Sequence, residues 1–315
     1  MTMTMYATRS KEIADHVLIV GSMAFDDLEL PSVNAKDVVG GAATYAAYAA
    51  SLFAPVRIVA VVGEDFPRSV LEELGERDVD CTGVEHAKGK TFRWAGRYAS
   101  NLASRETLDT QLNVFADFRP KLPQSYTDSP YVLLGNIQPQ LQLDVLTQIK
   151  APRFVAADTM NFWISGERKK LGEVLSKIDT LMINDEELRQ LAEIHNIRRA
   201  AAAVLKLGPK RLVVKRGEYG AMLFDEEGVF FTPAYPLEEE IDPTGAGDSF
   251  AGALLGYLAA AGTLDGAALR RGLTLASAVA SFCVEGVGPA KLKAVQRADV
   301  MMRLEALRTL THAGG

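Results

Sequence analysis

The chain has 315 residues, of which 48% are hydrophobic and 23% charged, with a formal net charge of −6. Such a composition suits a globular protein with a large core and gives no reason to expect a nucleic-acid partner, since basic pairs such as Lys169-Lys170 and Arg198-Arg199 read as solvated helix faces. Two cysteines signal no disulfide framework, the polar start MTMTMYATRSKEIADH lacks a signal-peptide core, and the apolar stretch 250–261 is too short for a bilayer, so a cytoplasmic protein without a membrane partner is expected.

Along the chain, DHVLIVGS (15–22) is a β-branched run closing on glycine, a buried strand. ELPSVNAKDVVGG carries turn and edge signals. ATYAAYAASLFA (43–54) predicts a helix of small residues, VRIVAVVGED (56–65) a second buried strand, and PRSVLEELGERD a helix with Pro67 at its start. Between 90 and 118 the period changes to two. Phe92, Trp94 and Tyr98 oppose Arg93 and Arg97; Leu108, Leu112 and Val114 oppose Asp109, Gln111 and Asn113. Joined by SNLASR, these runs predict a half-exposed antiparallel hairpin whose aromatic face needs a cover, from the main domain or from a second subunit in a homodimer.

From 130 onward YVLLGN, RFVAAD, TLMIN and RLVVK are strand-like and alternate with helical LQLDVLTQIK, RKKLGEVLSKI, DEELRQLAEIH and RRAAAAVLKLG. AMLFDEEGVFFT predicts a hairpin through EEG, and the rest is helical around SFAGALLGYLAAAG, AALRRGLTLASAVASFCV and ADVMMRLEALRTL. The alternation implies a mostly parallel α/β sheet covered on both faces.

Parallel sheets place ligands at the carboxyl ends of strands, where loops enter helix N-termini. DPTGAGDSF (242–250) is such a loop. Gly245, Ala246 and Gly247 let backbone N–H groups approach an anion, which the helix dipole also favours, and Asp248 would sit beside it as a proton acceptor. On spacing alone, a capping Asp248 and glycines that merely turn the chain explain the same residues. Rival motifs fail: GxxxxGK[ST] is absent, GAGDSF lacks the third glycine of GxGxxG, Ser249 is not in GxSxG, and His16, His86, His195 and His312 lack metal-ligand spacing.

DPTGAGDSFAG closely resembles the second signature of the ribokinase-like (PfkB) carbohydrate kinases. VGSMAFDD with VVGGAATYAA resembles the first glycine signature of that family, INDEE (183–187) its NxxE motif, and VVKRGEYGAM (213–222) its nucleotide-binding turn, all in family order. The resemblance implies a three-layer α/β/α sandwich, one kinase domain over 1–315 with a β lid from about 28–38 and 90–118. It implies transfer of a phosphoryl group from ATP to an alcohol, with Asp248 as general base and Gly245, Ala246 and Gly247 as the anion hole. Asn184 and Glu187 would order Mg²⁺, its waters and the phosphates. Lys215, Gly217 and Gly220 would lie along the nucleotide, and Ala276 and Ala280 could admit adenine, although helix packing explains them too. Asp242 and Thr244, with carbonyls near Cys283 and Gly288, match loops that hold a monovalent cation such as K⁺ in many members.

For the acceptor, Asp26 matches the aspartate that accepts hydrogen bonds from hydroxyls, and Gly40 and Gly41 the glycine pair that meets the substrate. Where ribokinases typically carry lysine and asparagine, this chain has Ala42 and Tyr45, which counts against free ribose. Tyr45 could stack on a base or sugar ring, or pack in its helix. Arg93 and Arg97 could bind an anionic acceptor or be solvated. Asn136, Asn161 and Trp163 are expected near the same edge. The expected acceptor is a sugar or sugar-like polyol, with a nucleoside as the alternative and an inactive nucleotide-binding regulator as the remote one.

Overall fold

A computed structural model describes residues 11, 14–102 and 104–311. Most of the polar start and His312 fall outside these residues. The chain opens with β1 (Val17–Val20), β2 (Ala24–Glu29), β3 (Asn34–Gly40), α1 (Ala42–Ala50), β4 (Val56–Val62), α2 (Arg68–Gly75), β5 (Val79–His86), β6 (Phe92–Tyr98) and β7 (Arg105–Gln111). It continues through β8 (Tyr131–Leu134), α3 (Pro139–Leu146), β9 (Phe154–Asp158), α4 (Asn161–Gly166), α5 (Arg168–Leu175), β10 (Thr180–Asn184), α6 (Asp185–Ala192), α7 (Ile197–Leu205) and β11 (Arg211–Lys215). The hairpin β12 (Ala221–Asp225) and β13 (Gly228–Thr232) precedes α8 (Ala246–Ala261), α9 (Gly266–Cys283), α10 (Ala290–Ala294) and α11 (Arg297–Thr311).

Nine strands form the large sheet in the order β13-β12-β11-β10-β9-β8-β1-β4-β5. It is parallel except where β12 pairs with β11 and β13. Successive strand residues face opposite sides, which assigns the two cores directly. Val17 and Ile19, Tyr131 and Leu133, and Phe154 and Ala156 enter one core with α1, α8 and α9. Leu18 and Val20, Val132 and Leu134, and Val155 and Ala157 enter the other with α3, α5, α6 and α7. The result is the three-layer α/β/α sandwich that the sequence implies.

The chain runs from β1 outward to β4 and β5 on one side and to β8, β9 and β10 on the other. A crevice therefore opens at the carboxyl ends of β1 and β8. There the Gly135 N–H donates to the Val20 carbonyl at 2.8 Å. On one face, α8 meets α1 backbone to backbone: a Cβ on Gly252 would lie 2.1 Å from the Ala46 carbonyl oxygen. The small residues of both helices exist to allow this approach, which brings the start of α8 beside the start of α1.

A second sheet, ordered β3-β2-β6-β7, meets the loop before α8 through the hydrogen bond between Tyr98 and Thr244. It begins at Ala24 and ends at Gln111, whereas the alternation in the sequence suggests a run on to 118. Asn113–Asp117 form a 3-10 turn instead. Asn113 adopts φ 49°, and Phe115 stacks between Phe92 and Phe118. The edge strand β5 pairs parallel with β4 and carries no continuous apolar run, which is why the sequence pattern does not announce it.

Candidate active site

Three neighbouring strands of the large sheet end in polar residues: Asp158 on β9, Asn184 on β10 and Lys215 on β11. Asn184 and Lys215 are level in register. The Lys215 ammonium donates to Asp158 Oδ2 at 2.7 Å, and Asp158 Oδ1 accepts from the Thr159 N–H at 2.8 Å. Burial pulls the Lys215 pKa down, but Asp158 and Glu187 overcompensate and it ends above its ordinary value. Asn184 and Glu187 form a reciprocal capping box at the start of α6, with the Asn184 N–H on Glu187 Oε2 and the Glu187 N–H on Asn184 Oδ1, each 2.8 Å. Burial, then the charge of Asp158, raises the Glu187 pKa.

The start of α8 lies across from these strand ends. Gly245 is its N-cap in the left-handed region, φ 77°, and no side chain caps the helix. A Cβ on Gly245 would run into the Tyr45 ring at 2.3 Å, so only glycine fits. The Ala246 N–H donates to the Pro243 carbonyl at 3.2 Å. The N–H groups of Gly247 and Asp248 remain at an uncapped helix start with its partial positive charge. Lys215 Nζ lies 3.1 Å from where a Gly247 Cβ would stand, so the ammonium borders the same spot. Asp248 is half-buried, and burial followed by the Asp158 charge pushes its pKa up to about 6, against the pull of Lys215 and Arg105. A carboxylate of that pKa beside an anion hole is suited to accept a proton near neutral pH.

On the acceptor side, Asp26 of β2 is buried, and burial together with Asp242 and Asp248 pushes its pKa up to about 8. Gly40 is glycine because a Cβ would stand 2.0 Å from Asp26 Oδ2, and Gly41 takes φ 92°. The Tyr45 side chain is 1% exposed, so it serves the interior and braces Gly245. Asn136 accepts from the Trp163 indole N–H at 3.0 Å and donates to Met160 Sδ at 3.1 Å. Asn161 is exposed and its Oδ1 accepts from the Phe162 N–H at the first turn of α4. No contact ties Asn161 to Asp248. Arg93 and Arg97 are engaged by carboxylates of the small sheet, Arg93 by Asp37 and Asp27 and Arg97 by Glu29 and Glu106.

Asp242 is fully buried, accepting from the Thr244 N–H at 2.9 Å and the Gly288 N–H at 2.8 Å. Thr244 Oγ1 shares a 2.9 Å hydrogen bond with the Tyr98 hydroxyl of the small sheet. On the nucleotide side, Gly220 has φ 86° and a Cβ there would meet the Thr232 carbonyl at 2.1 Å, while Gly217 has φ 54° in open surroundings. Ala276 is enclosed in the core, and Ala280 is half-buried on the same helix.

The sequence matches the model of the pfkB family carbohydrate kinases over residues 13–294. The chain belongs to the pfkB family. It is 30% identical over 248 residues to a cytidine kinase of Thermococcus kodakarensis, covering 76% of this chain and 88% of that protein. Its fold is similar to Arabidopsis thaliana ribokinase complexed with ribose and ATP, with TM-score 0.76, 23% identity, and coverage of 93% and 99% of the two chains. It is also similar to Burkholderia thailandensis nucleoside kinase in complex with inosine, with TM-score 0.76, 21% identity, and coverage of 92% and 98%. The pfkB protein described here is accordingly a kinase acting on a hydroxyl acceptor, of the sugar and nucleoside class.

At family level the donor is ATP with Mg²⁺. The residues present fit that pair. Glu187 Oε1 and Asn184 Nδ2 are not used by the capping box, and the uncapped turn at Gly247 and Asp248 beside Lys215 suits phosphate oxygens. Two residues whose charge reaches Asp248 escaped the sequence motifs. Asp158 was legible only as a polar residue ending a buried strand, in the position that Asn184 and Lys215 occupy on the next two. Arg105 carried no signal, because only the paired strands show which way it faces.

Proposed function

We propose that this pfkB kinase transfers the γ-phosphoryl group of ATP to a hydroxyl of a nucleoside, with Asp248 as general base. The carrying observation is the arrangement of Asp248 at an uncapped helix start, with Lys215 beside it and Asp26 across the crevice. Mg²⁺, when bound, would neutralise phosphate charge, with Glu187 and Asn184 placed to hold its waters and the phosphates. Asp26 accepts hydrogen bonds from a vicinal diol, and Asp248 takes the proton of the attacking hydroxyl. Gly245, Ala246 and Gly247 shape the anion hole, and the N–H groups left free at its helix start, those of Gly247 and Asp248, present their dipoles to the charge that develops.

The nucleoside is favoured for two reasons. A relative that matches over most of both chains at 30% identity is a cytidine kinase, and another such relative, at 26%, is a 2-dehydro-3-deoxygluconokinase. The first signature also offers few polar side chains: Ala42 has none to give and Tyr45 faces inward, so a free sugar would have hydroxyls without partners while a base could bind by apolar contact. A free sugar or polyol is the second reading, because Asp26 serves any vicinal diol. The test is acceptor-dependent ADP release with Mg²⁺ and ATP across cytidine, other nucleosides, free sugars, sugar phosphates and polyols. Turnover confined to sugars removes the nucleoside reading, and silence across the panel removes both.

Asp242 and Thr244 are proposed to organise a K⁺ site through nearby carbonyls, tested by replacing potassium with sodium in the same assay. A homodimer through the small sheet is part of this reading, since every residue of β7 is exposed. Light scattering that gives a monomer at working concentration would remove it. A cytoplasmic setting suits an ATP-consuming chain whose two cysteines are free.

A further inference from the structure

One arginine of the small sheet is held by no carboxylate among the described residues. Arg93 and Arg97 are each held by two carboxylates, but among the described residues no carboxylate pairs with Arg105. The arginine is nevertheless fixed in place from two sides. Its guanidinium lies over the Trp94 indole, 5.5 Å from the ring centroid, and Arg105 is directly opposite Tyr98 in the β6–β7 pair. Tyr98 in turn is hydrogen-bonded to Thr244, the residue before the left-handed Gly245 that starts the anion hole.

The register shows which way Arg105 faces. Directly opposed residues on neighbouring strands point to the same side of a sheet. Trp94 is level with Asp26 on β2, and Trp94 and Tyr98 share a face at period two. Arg105, Tyr98, Trp94 and Asp26 therefore look out of one face, the one that meets the start of α8 through Tyr98 and Thr244. The carboxylates of both Asp26 and Asp248 feel the Arg105 charge, which opposes the rise in their pKa values. The other cation of the crevice, Lys215, is already engaged by Asp158 at 2.7 Å. An arginine meant to neutralise Asp26 or Asp248 would stand within ion-pair distance of one of them. Arg105 shares a face with Asp26, joins the start of α8 through Tyr98 and pairs with neither carboxylate, an arrangement suited to an anion that arrives between them.

We propose that Arg105 is a catalytic residue whose guanidinium donates hydrogen bonds to the oxygens of the phosphoryl group in transit between ATP and the acceptor. The planar fork matches phosphoryl oxygens, and its charge offsets the charge they carry. In the step, the bond from acceptor oxygen to γ-phosphorus forms and the bond from γ-phosphorus to the β–γ bridging oxygen breaks. The acceptor proton passes to Asp248, and Arg105 neither gains nor loses one. The inference rests on the kinase activity of the family and not on which acceptor is used.

The experiment compares Arg105→Gln, Arg105→Lys and Arg105→Ala with the wild type in steady-state assays with Mg²⁺, ATP and cytidine. Ribose takes the place of cytidine if the wild type leaves cytidine untouched, so failure of the nucleoside reading appears in the wild type and stays separate. Arg105→Gln is expected to lower kcat about 100-fold with acceptor KM within about threefold, and Arg105→Lys to recover part of the loss. Guanidinium chloride at non-denaturing concentration should restore turnover to Arg105→Ala where equal sodium chloride does not. Equilibrium binding supplies a readout free of turnover: Arg105→Gln should weaken the non-hydrolysable analogue AMP-PCP and leave ADP unchanged. A kcat within about threefold of wild type, a loss confined to acceptor KM, or equal weakening of ADP and AMP-PCP would each overturn the proposal. Arg105 is exposed, so its variants should fold, and melting curves check this.

Discussion

The two sheets of this kinase are stabilised in different ways. Strands β1, β8 and β9 of the large sheet are buried at every residue, and their alternate side chains fill two separate cores. The small sheet has three buried residues in its own cluster, Leu28, Leu30 and Tyr98, and β7 is exposed along its whole length. Its strands are tied by pairs such as Arg97 with Glu29 at 2.6 Å, both half exposed, and such pairs contribute about 0–1 kcal/mol. Regions with few buried apolar contacts open at lower free energy than the core. The chemistry divides along the same line. Asp158, Glu187, Lys215 and Asp248 stand at the ends of large-sheet elements, whereas Asp26, Gly40 and Arg105 belong to the part that moves more cheaply.

The largest expected effect tests the rigid side. Asp248→Asn should keep the wild-type melting temperature and lose kcat by about 100-fold or more, the scale of general-base contributions. In the wild type, kcat/KM should fall as pH drops below about 6, where Asp248 becomes protonated and can no longer accept a proton. Full activity in Asp248→Asn would remove the residue from the mechanism. Gly252→Ala probes the frame without touching chemistry. Its Cβ would lie 2.1 Å from the Ala46 carbonyl, so α8 must move away from α1. A loss of about 3 kcal/mol in urea unfolding is expected, and a neutral result would mean the two helices yield easily.

The large sheet was legible because burial on both faces writes continuous apolar runs, and VLIV, YVLL and FVAAD are strands as the sequence suggests. The small sheet was legible only in part. The alternation in FRWAGRY marks β6, but 105–118 keeps the same period through a 3-10 turn, since period-two polarity does not report where backbone pairing stops. At the site, the glycines were readable because two of them are forced by sterics: Gly40 by the Asp26 carboxylate and Gly245 by the Tyr45 ring. The partner of Lys215 was not, because Asp158 lies 57 residues away and only strand order brings the two together. Tyr45, readable either as a ring for stacking on a ligand or as packing within its helix, is the wall against which Gly245 rests.

On the acceptor side, Asp26→Asn should separate binding from stability. With its folded pKa near 8 against an ordinary 3.8, Asp26 keeps a proton that the unfolded chain releases. Wild-type stability should therefore fall as pH rises from about 4 to about 8 and level off beyond, a slope that Asn cannot have. The variant should melt increasingly above the wild type across that window while acceptor KM rises by about 10-fold or more, since the amide offers the diol one acceptor oxygen and can never become the carboxylate that offers two. Equal slopes in the two proteins would show that Asp26 is ionised throughout.

The smallest effect expected is at the junction of the two sheets. Tyr98→Phe removes the 2.9 Å hydrogen bond to Thr244 and leaves that buried hydroxyl without its partner, a cost of about 1 kcal/mol. Where the cost appears distinguishes two roles for the bond. A bond that only supports local packing would lower the melting temperature and leave kinetics alone. A bond that holds the small sheet down over the anion hole would raise acceptor KM about fivefold with little change in melting, because the frame is untouched and only the closed arrangement is rarer. Thr244→Val removes the same bond from the other side. If the contact is the cause, the double variant should be no worse than either single one, and simple additivity would show that the two residues act apart.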